Sequence, residues 1–358
     1  MKASIARLHK VMREVSGFLA FAGSMDRLRS SPANPALNID HDVATYLASL
    51  AWRRHTYAFS IVSIYGAHER FVRDYFGEVA GALSAIYESY SRLPEVVRGY
   101  HERLTLDRSK DILDGRRGSA ADFREFLSNL NACLDGSMSL NREVFSVSTT
   151  NYRSQVVREM MVSRLGVDLS PPDKDPKLEE TVRTELNGFY STISGVIDDL
   201  ADRRNEIAHG SDYEILDRGT LGSILKAVYW YDCWLYAEVA RWLLMTVVRE
   251  RGVEIGSIAK TYASPDTGLR SIGSISEVSE IVRPNDVLYL LENTVTKVVV
   301  RTVEKNKLEQ DLAAPGGGPY GLDFCVAVKK GSRVFRLPAK HSGLAMSLQL
   351  ALEEKPGL

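Results

Sequence analysis

Leu178, Val182, Leu186, Phe189, Ile193, Val196, Leu200 and Ile207 recur at steps of three, four and seven residues. That period sets all of them on one face of a helix. The spacing therefore predicts one long helix closing at Gly210, since glycine ends helices without a Cβ penalty. A helix with one apolar face has to lie against other helices. The same steps run through Ile5, Leu8, Met12, Val15 and Leu19, through Ile61, Tyr65, His68, Val72 and Tyr75, and through Ile224, Val228, Tyr231, Leu235, Val239, Trp242 and Met245. Ala58 to Tyr65 is apolar almost all round, which predicts a central buried helix with His68 as a hydrogen-bonded core histidine. Further helical patches fall at 79–93, 123–134 and 151–165, and the proline- and asparagine-rich stretch Ser30 to Asn38 reads as a loop.

The pattern changes after Arg251. Ser and Gly become frequent over 252–276, followed by short β-rich runs at 287–291, 296–303, 324–328 and 334–337. The expected fold is a mainly α N-terminal helical bundle over residues 1–250, a linker over 251–275, and a small antiparallel β or barrel-like domain of four or five strands over 276–358. Residues 344–354 are expected to add a terminal helix.

Composition narrows the function. Forty-five Lys and Arg against forty-six Asp and Glu leave a net charge of −1, so any polyanion site has to be a local patch. Three distant cysteines, Cys133, Cys233 and Cys325, argue against a disulfide framework or a CxxC site and fit a reducing cytoplasm. The longest apolar runs fall short of a bilayer span, so no membrane partner is expected. HExxH and GxSxG are absent. The APGGGPYG stretch at 314–321 lacks the Lys-Ser/Thr of a phosphate loop and reads as a loop between strands. Asp198, Asp199 and Asp202 are more simply ion-pair partners than magnesium ligands, so neither a metal nor a cofactor is expected.

The chemistry concentrates at the end of the long helix, in ADRRNEIAHG at 201–210, where Arg203, Arg204, Asn205, Glu206 and His209 crowd into seven positions. Arg204, Asn205 and His209 match the pattern of Arg, a polar residue, three residues and His that marks the HEPN superfamily (higher eukaryotes and prokaryotes nucleotide-binding). RNEIAHG at 204–210 resembles the form found in its prokaryotic ribonuclease branch, among toxins and antiphage-defence effectors. The specific letters cover 201–210, while a helix leading in and another leading out extend the likeness over the first 250 residues. The resemblance implies an all-α fold, RNA as substrate, a homodimer whose cleft is built from paired motifs, and an antitoxin or regulatory partner.

Helix geometry adds a constraint of its own. At about 100° per residue, Arg204 and His209 lie about 140° apart on an ideal helix and do not share a face. Either the helix kinks or ends before His209, or two copies of the motif meet across a dimer. The bland alternative is that Arg204 extends along the surface to pair with Asp199 or Asp202.

The residue types suit RNA cleavage without a metal. A 2′-hydroxyl attacks the adjacent phosphodiester if a base removes its proton, an acid protonates the leaving 5′-oxygen, and a cation steadies the phosphorane. Histidine titrates near neutrality, which makes His209 the acid/base candidate, and arginine's fork of donors makes Arg204 the phosphate clamp. Asn205 orients phosphate or imidazole, Arg203 adds positive potential, Glu206 either tunes His209 or pairs with Arg203, and Asp202 supports the cluster. A product ending in a 2′,3′-cyclic phosphate follows from this scheme. The alternative is a non-catalytic HEPN protein that binds RNA or a protein partner.

Overall fold

The structure, a computed structural model, describes residues 2–30, 41–116, 119–148, 150–210, 214–306 and 308–353. The expected loop over Ser30 to Asn38 lies almost wholly outside them. The chain divides into two compact units, the first running from Met1 to Glu238 and the second from Val239 to Glu354.

The first unit is helical. Its elements are α1 (Lys2–Ser30), α2 (His41–Ala48), α3 (Leu50–Ile86), α4 (Glu95–Leu113), α5 (Ala120–Leu134), α6 (Ser154–Leu165), α7 (Pro176–Glu185), α8 (Ile193–His209) and the start of α9 (Arg218–Arg251). α3 is its axis. Ser49 caps its N-terminus by accepting the Trp52 amide, and α1 and α8 both pack against it. The expected stripe Ile61, Tyr65, His68, Val72 and Tyr75 is buried. Burial is nonetheless one-sided, because Phe59 and Val62 stay 51% and 46% exposed where the apolar sequence suggested a helix covered all round.

His68 is a core histidine, as its place on the stripe suggests. Its Nδ1 meets Asp232 Oδ1 of α9 at 2.7 Å, and its Nε2 donates to the Tyr152 carbonyl at 2.9 Å. Burial opposes charge on this imidazole, but the Asp232 carboxylate and the Tyr152 carbonyl outweigh it and raise the pKa of His68. The pair joins α3 and α9 to the segment that enters α6.

Two features of the helical unit differ from the periodicity. The stripe over 178–207 is two helices, α7 and α8, because Asn187 and Gly188 turn left-handed at φ 46° and 83°. Asn-Gly is a strong turn signal, and here it overrides a continuous apolar period. Phe189 is consequently exposed between the helices. The periodicity also misses α4, whose buried face mixes Val97, Tyr100 and Ile112 with His101, Thr105 and Ser109. Half of that face is polar, so its 3.6-residue repeat is invisible to a hydrophobic scan.

The second unit carries an eight-stranded antiparallel sheet and α10 (Ala339–Glu353). The strands are β1 (Val253–Tyr262), β2 (Ile272–Ile275), β3 (Val287–Leu291), β4 (Val295–Val299), β5 (Thr302–Lys305), β6 (Leu308–Gln310), β7 (Tyr320–Asp323) and β8 (Arg333–Arg336), ordered β4-β3-β8-β1-β2-β7-β5-β6. The sheet is larger than the four or five strands expected, and the stretch expected as a linker contributes its longest strand. β1 pairs β8 through its first half and β2 through its second, so it joins the two halves of the sheet. Its burial pattern is only partly alternating, which is why Ser and Gly content made it read as a connection.

Asp323 explains another difference. The apolar run at 324–328 is not a strand, because the buried Asp323 carboxylate accepts the amide of Cys325 at 3.1 Å and the hydroxyl of Ser271 at 2.7 Å, turning the chain out of the sheet. The run at 296–303 is likewise split at Val300 and Arg301, whose amides go to Asp286 and Asp323 as the chain moves from β3 to β7. Ile255, Ile258, Ile275, Leu288, Leu322 and Val334 are central to the core of this unit.

Candidate functional site

α8 places the motif. Thr192 caps it by accepting the Gly195 amide at 3.1 Å, and Ile193, Val196, Ile197, Leu200 and Ala201 are buried against the bundle. The helix stays intact through His209 and stops at Gly210, which takes the left-handed φ of 68° that only glycine adopts without strain. A helix ending before His209 is therefore excluded, and within one chain Arg204 and His209 remain about 140° apart.

The consecutive arginines have different fates. Arg203 is drawn in: its Nε donates to Asp199 at 2.6 Å, and its Nη1 donates to the Tyr57 hydroxyl at 3.0 Å and the Glu214 carbonyl at 3.4 Å. Burial works against its charge, but Tyr57 and Asp199 outweigh it and raise its pKa. Asp199 also accepts the Tyr190 hydroxyl. Arg203 is thus a strut between α8 and α3, with its charge largely matched.

Arg204 points to a different wall. Its guanidinium lies over the Tyr65 ring, 5.6 Å from the centroid, and Nη1 donates to Asn205 Oδ1 at 3.2 Å. Among the described residues it has no carboxylate partner. The two acids that a surface-pairing Arg204 would use are occupied, Asp199 by Arg203 and Asp202 by Arg153. Arg153 grips Asp202 with both Nη atoms and donates to the Asp198 carbonyl, holding the Asp202 carboxyl below its usual range. Asp198 accepts the Ser154 amide at 3.0 Å. The three aspartates therefore serve three separate partners.

His209 and Glu206 are exposed, and among the described residues no hydrogen bond or ion pair joins them. Of the two alternatives for Glu206, a pairing with Arg203 is not formed among the described residues, because Arg203 faces Asp199 and Tyr57. Asn205 is half-buried beside Arg204. A single chain thus brings together Arg204 and Asn205, ties Arg203 and Asp202 into the scaffold, and leaves His209 apart.

Beside Arg204 opens a cleft of about 570 Å³, bounded by Tyr65, Glu69, Asn151, Tyr152, Arg153 and Arg204. The Tyr65 hydroxyl donates to Asn151 and accepts the Tyr152 amide, so α3 and the entry to α6 are stitched together at its floor. Sequence reading did not single out Tyr65, Asn151 or Arg153 as functional. Tyr65 sits on a core stripe, and the others are some fifty residues from the motif with no spacing to connect them.

A helical bundle with Arg, Asn and His on the last turns of one capped helix defines a protein of the HEPN class. More narrowly, residues 37–228, just over half of the chain, match the model of the family described as RiboL-PSP-HEPN, and the chain belongs to that family. No curated protein and no solved structure matches it. Membership points to a nucleotide-binding or ribonuclease-like function. Among the described residues no helix is long and apolar enough to cross a membrane.

Proposed function

We propose that this chain is a metal-independent endoribonuclease acting as a homodimer, in the role of a toxin or antiphage-defence effector. The observation that carries the reading is the unbroken α8, which keeps Arg204 uncommitted to any carboxylate among the described residues yet holds it about 140° from His209. A second copy resolves that separation by setting the His209 of one motif against the Arg204 of the other.

In such a cleft one His209 takes the proton of a 2′-hydroxyl, whose oxygen attacks phosphorus. The bond from phosphorus to the 5′-oxygen breaks, and that oxygen receives the proton that the same His209 took up, so each site uses one His209 and the Arg204 of the other copy. Arg204 holds the phosphorane's charge with its planar fork, and Asn205 keeps the guanidinium in place through its side-chain oxygen. The products are a 2′,3′-cyclic phosphate and a 5′-hydroxyl.

Incubation of the purified chain with structured and unstructured RNA in excess EDTA tests this. Cleavage is expected, with cyclic-phosphate ends, and both Arg204→Ala and His209→Ala are expected to abolish it. Variants that cut as well as the unmutated chain would refute the assignment. One observation favours a binding role without turnover: His209 has no orienting hydrogen bond among the described residues. On that reading RNA binds, nothing is cut, and His209→Ala binds as before.

A further inference from the structure

The cleft at Arg204 does not end at Glu69. A second depression, bounded by Glu69, Arg73, Arg108, Glu143, Ser148 and Tyr152, shares Glu69, Ser148 and Tyr152 with the first. The two form one groove within the helical unit. Tyr65, Glu69 and Arg73 stand one turn apart along α3, so its floor runs about 12 Å at 1.5 Å per residue. That is longer than a single phosphate requires.

Charge alternates along it. Arg204 stands at one end, and Arg73 and Arg108 at the other, with the Glu69 carboxylate between them. Arg73 reaches Glu69 only at 3.9 Å, with its side chain 58% exposed, an ion pair too long and too wet to hold either group against a competing ligand. Arg108 makes no hydrogen bond or salt bridge among the described residues. Arg153 at the first end is already matched by Asp202.

We infer that this groove holds a single strand of RNA leading away from the scissile phosphate, with backbone phosphates at Arg204 and at Arg73 and Arg108, and a base edge presenting N–H groups to Glu69. The inference rests on the reading of Arg204 as the residue that holds the scissile phosphate. In a duplex the Watson–Crick amino and imino groups are already spent on the opposite strand, whereas an unpaired base has them free to donate to the Glu69 carboxylate. The chain's net charge of −1 offers no broad field for a duplex either.

The test uses the full chain carrying His209→Ala, so that RNA stays intact, and a fluorescein-labelled single-stranded RNA decamer read by anisotropy across a salt series. Arg73→Gln and Arg108→Gln should each weaken binding about 3- to 10-fold and lower the slope of log K against log salt by about 0.7 for each phosphate left without its arginine. Glu143→Gln, which removes an exposed acid from the groove wall, should tighten binding, a gain that misfolding does not mimic. Unchanged affinities and slopes in all three variants, or preference for a duplex of the same sequence, would overturn the inference. Cleavage of the same decamer by the unmutated chain is measured separately. Its absence counts against the ribonuclease reading and leaves the groove to stand or fall on the binding data.

Discussion

The guanidinium of Arg204 rests over the ring of Tyr65, 5.6 Å from its centroid, with no acid to neutralise it among the described residues. A flat cation on an aromatic face keeps its in-plane donors directed outward, towards the cleft. Lysine has the charge but neither the plane nor the fork. Arg204→Lys is therefore expected to lower RNA cleavage by about 100-fold or more, on the scale of losing one transition-state donor, while thermal stability changes little. Single-turnover rates beside a melting curve make the comparison, and near-normal cleavage by the lysine variant would show that charge alone suffices.

A site shared between copies makes a stoichiometric prediction. Arg204→Ala and His209→Ala chains are each inactive, but a mixed dimer retains one composite site with both residues intact. Random mixing should restore about a quarter of the activity. If the mixture stays as dead as its components, Arg204 and His209 do not act across an interface.

The His68–Asp232 pair is wholly buried, and its second tie, to the Tyr152 carbonyl, fixes a wall of the cleft. Removing one partner leaves an unmatched buried group, at a cost of about 3–5 kcal/mol. For a unit of this size His68→Gln should lower the melting temperature by roughly 10 °C. Amide exchange at residues 150–153 should also accelerate beyond that at α4. A uniform change would mean the pair supports only the core.

His101 gives a pH signature. Burial lowers its pKa from 6.5 to about 4, and its Nε2 accepts the Asn141 amide at 3.0 Å, a bond that only the neutral ring makes. The folded state therefore excludes a proton that the unfolded chain binds below 6.5. The resulting stability is fully present above that pH and is lost as pH falls towards 4, by up to about 3 kcal/mol. Urea titrations at intervals from pH 7.5 to 4 should show the decline, and His101→Gln should flatten it over that range. An equally steep decline in the variant would assign the effect to other groups.

What could be read from the linear chain was local. The apolar period marked the buried faces of α1, α3 and α8, Gly210 marked the end of α8, and the letters RNEIAHG marked the motif, because helix period, left-handed caps and motif spacing are all decided within a few residues. Asn187-Gly188 was equally local, but its turn signal competed with a longer apolar repeat. α4 escaped because its buried face is half polar, with His101 and Thr105 both satisfied by Asn141, some 40 residues away in sequence.

Sequence by itself determined that the chain is a helical bundle followed by β structure, with a HEPN motif at a helix end. Only the tertiary structure decided what each motif residue is free to do. Arg203 and Arg204 are neighbours of identical chemistry, and one is spent on Asp199 and Tyr57 while the other faces an open groove. The reason is physical: whether a charge is available depends on which opposite charges fold up against it, and Tyr57, Tyr65 and Arg153 reach α8 from about 50 to about 150 residues away.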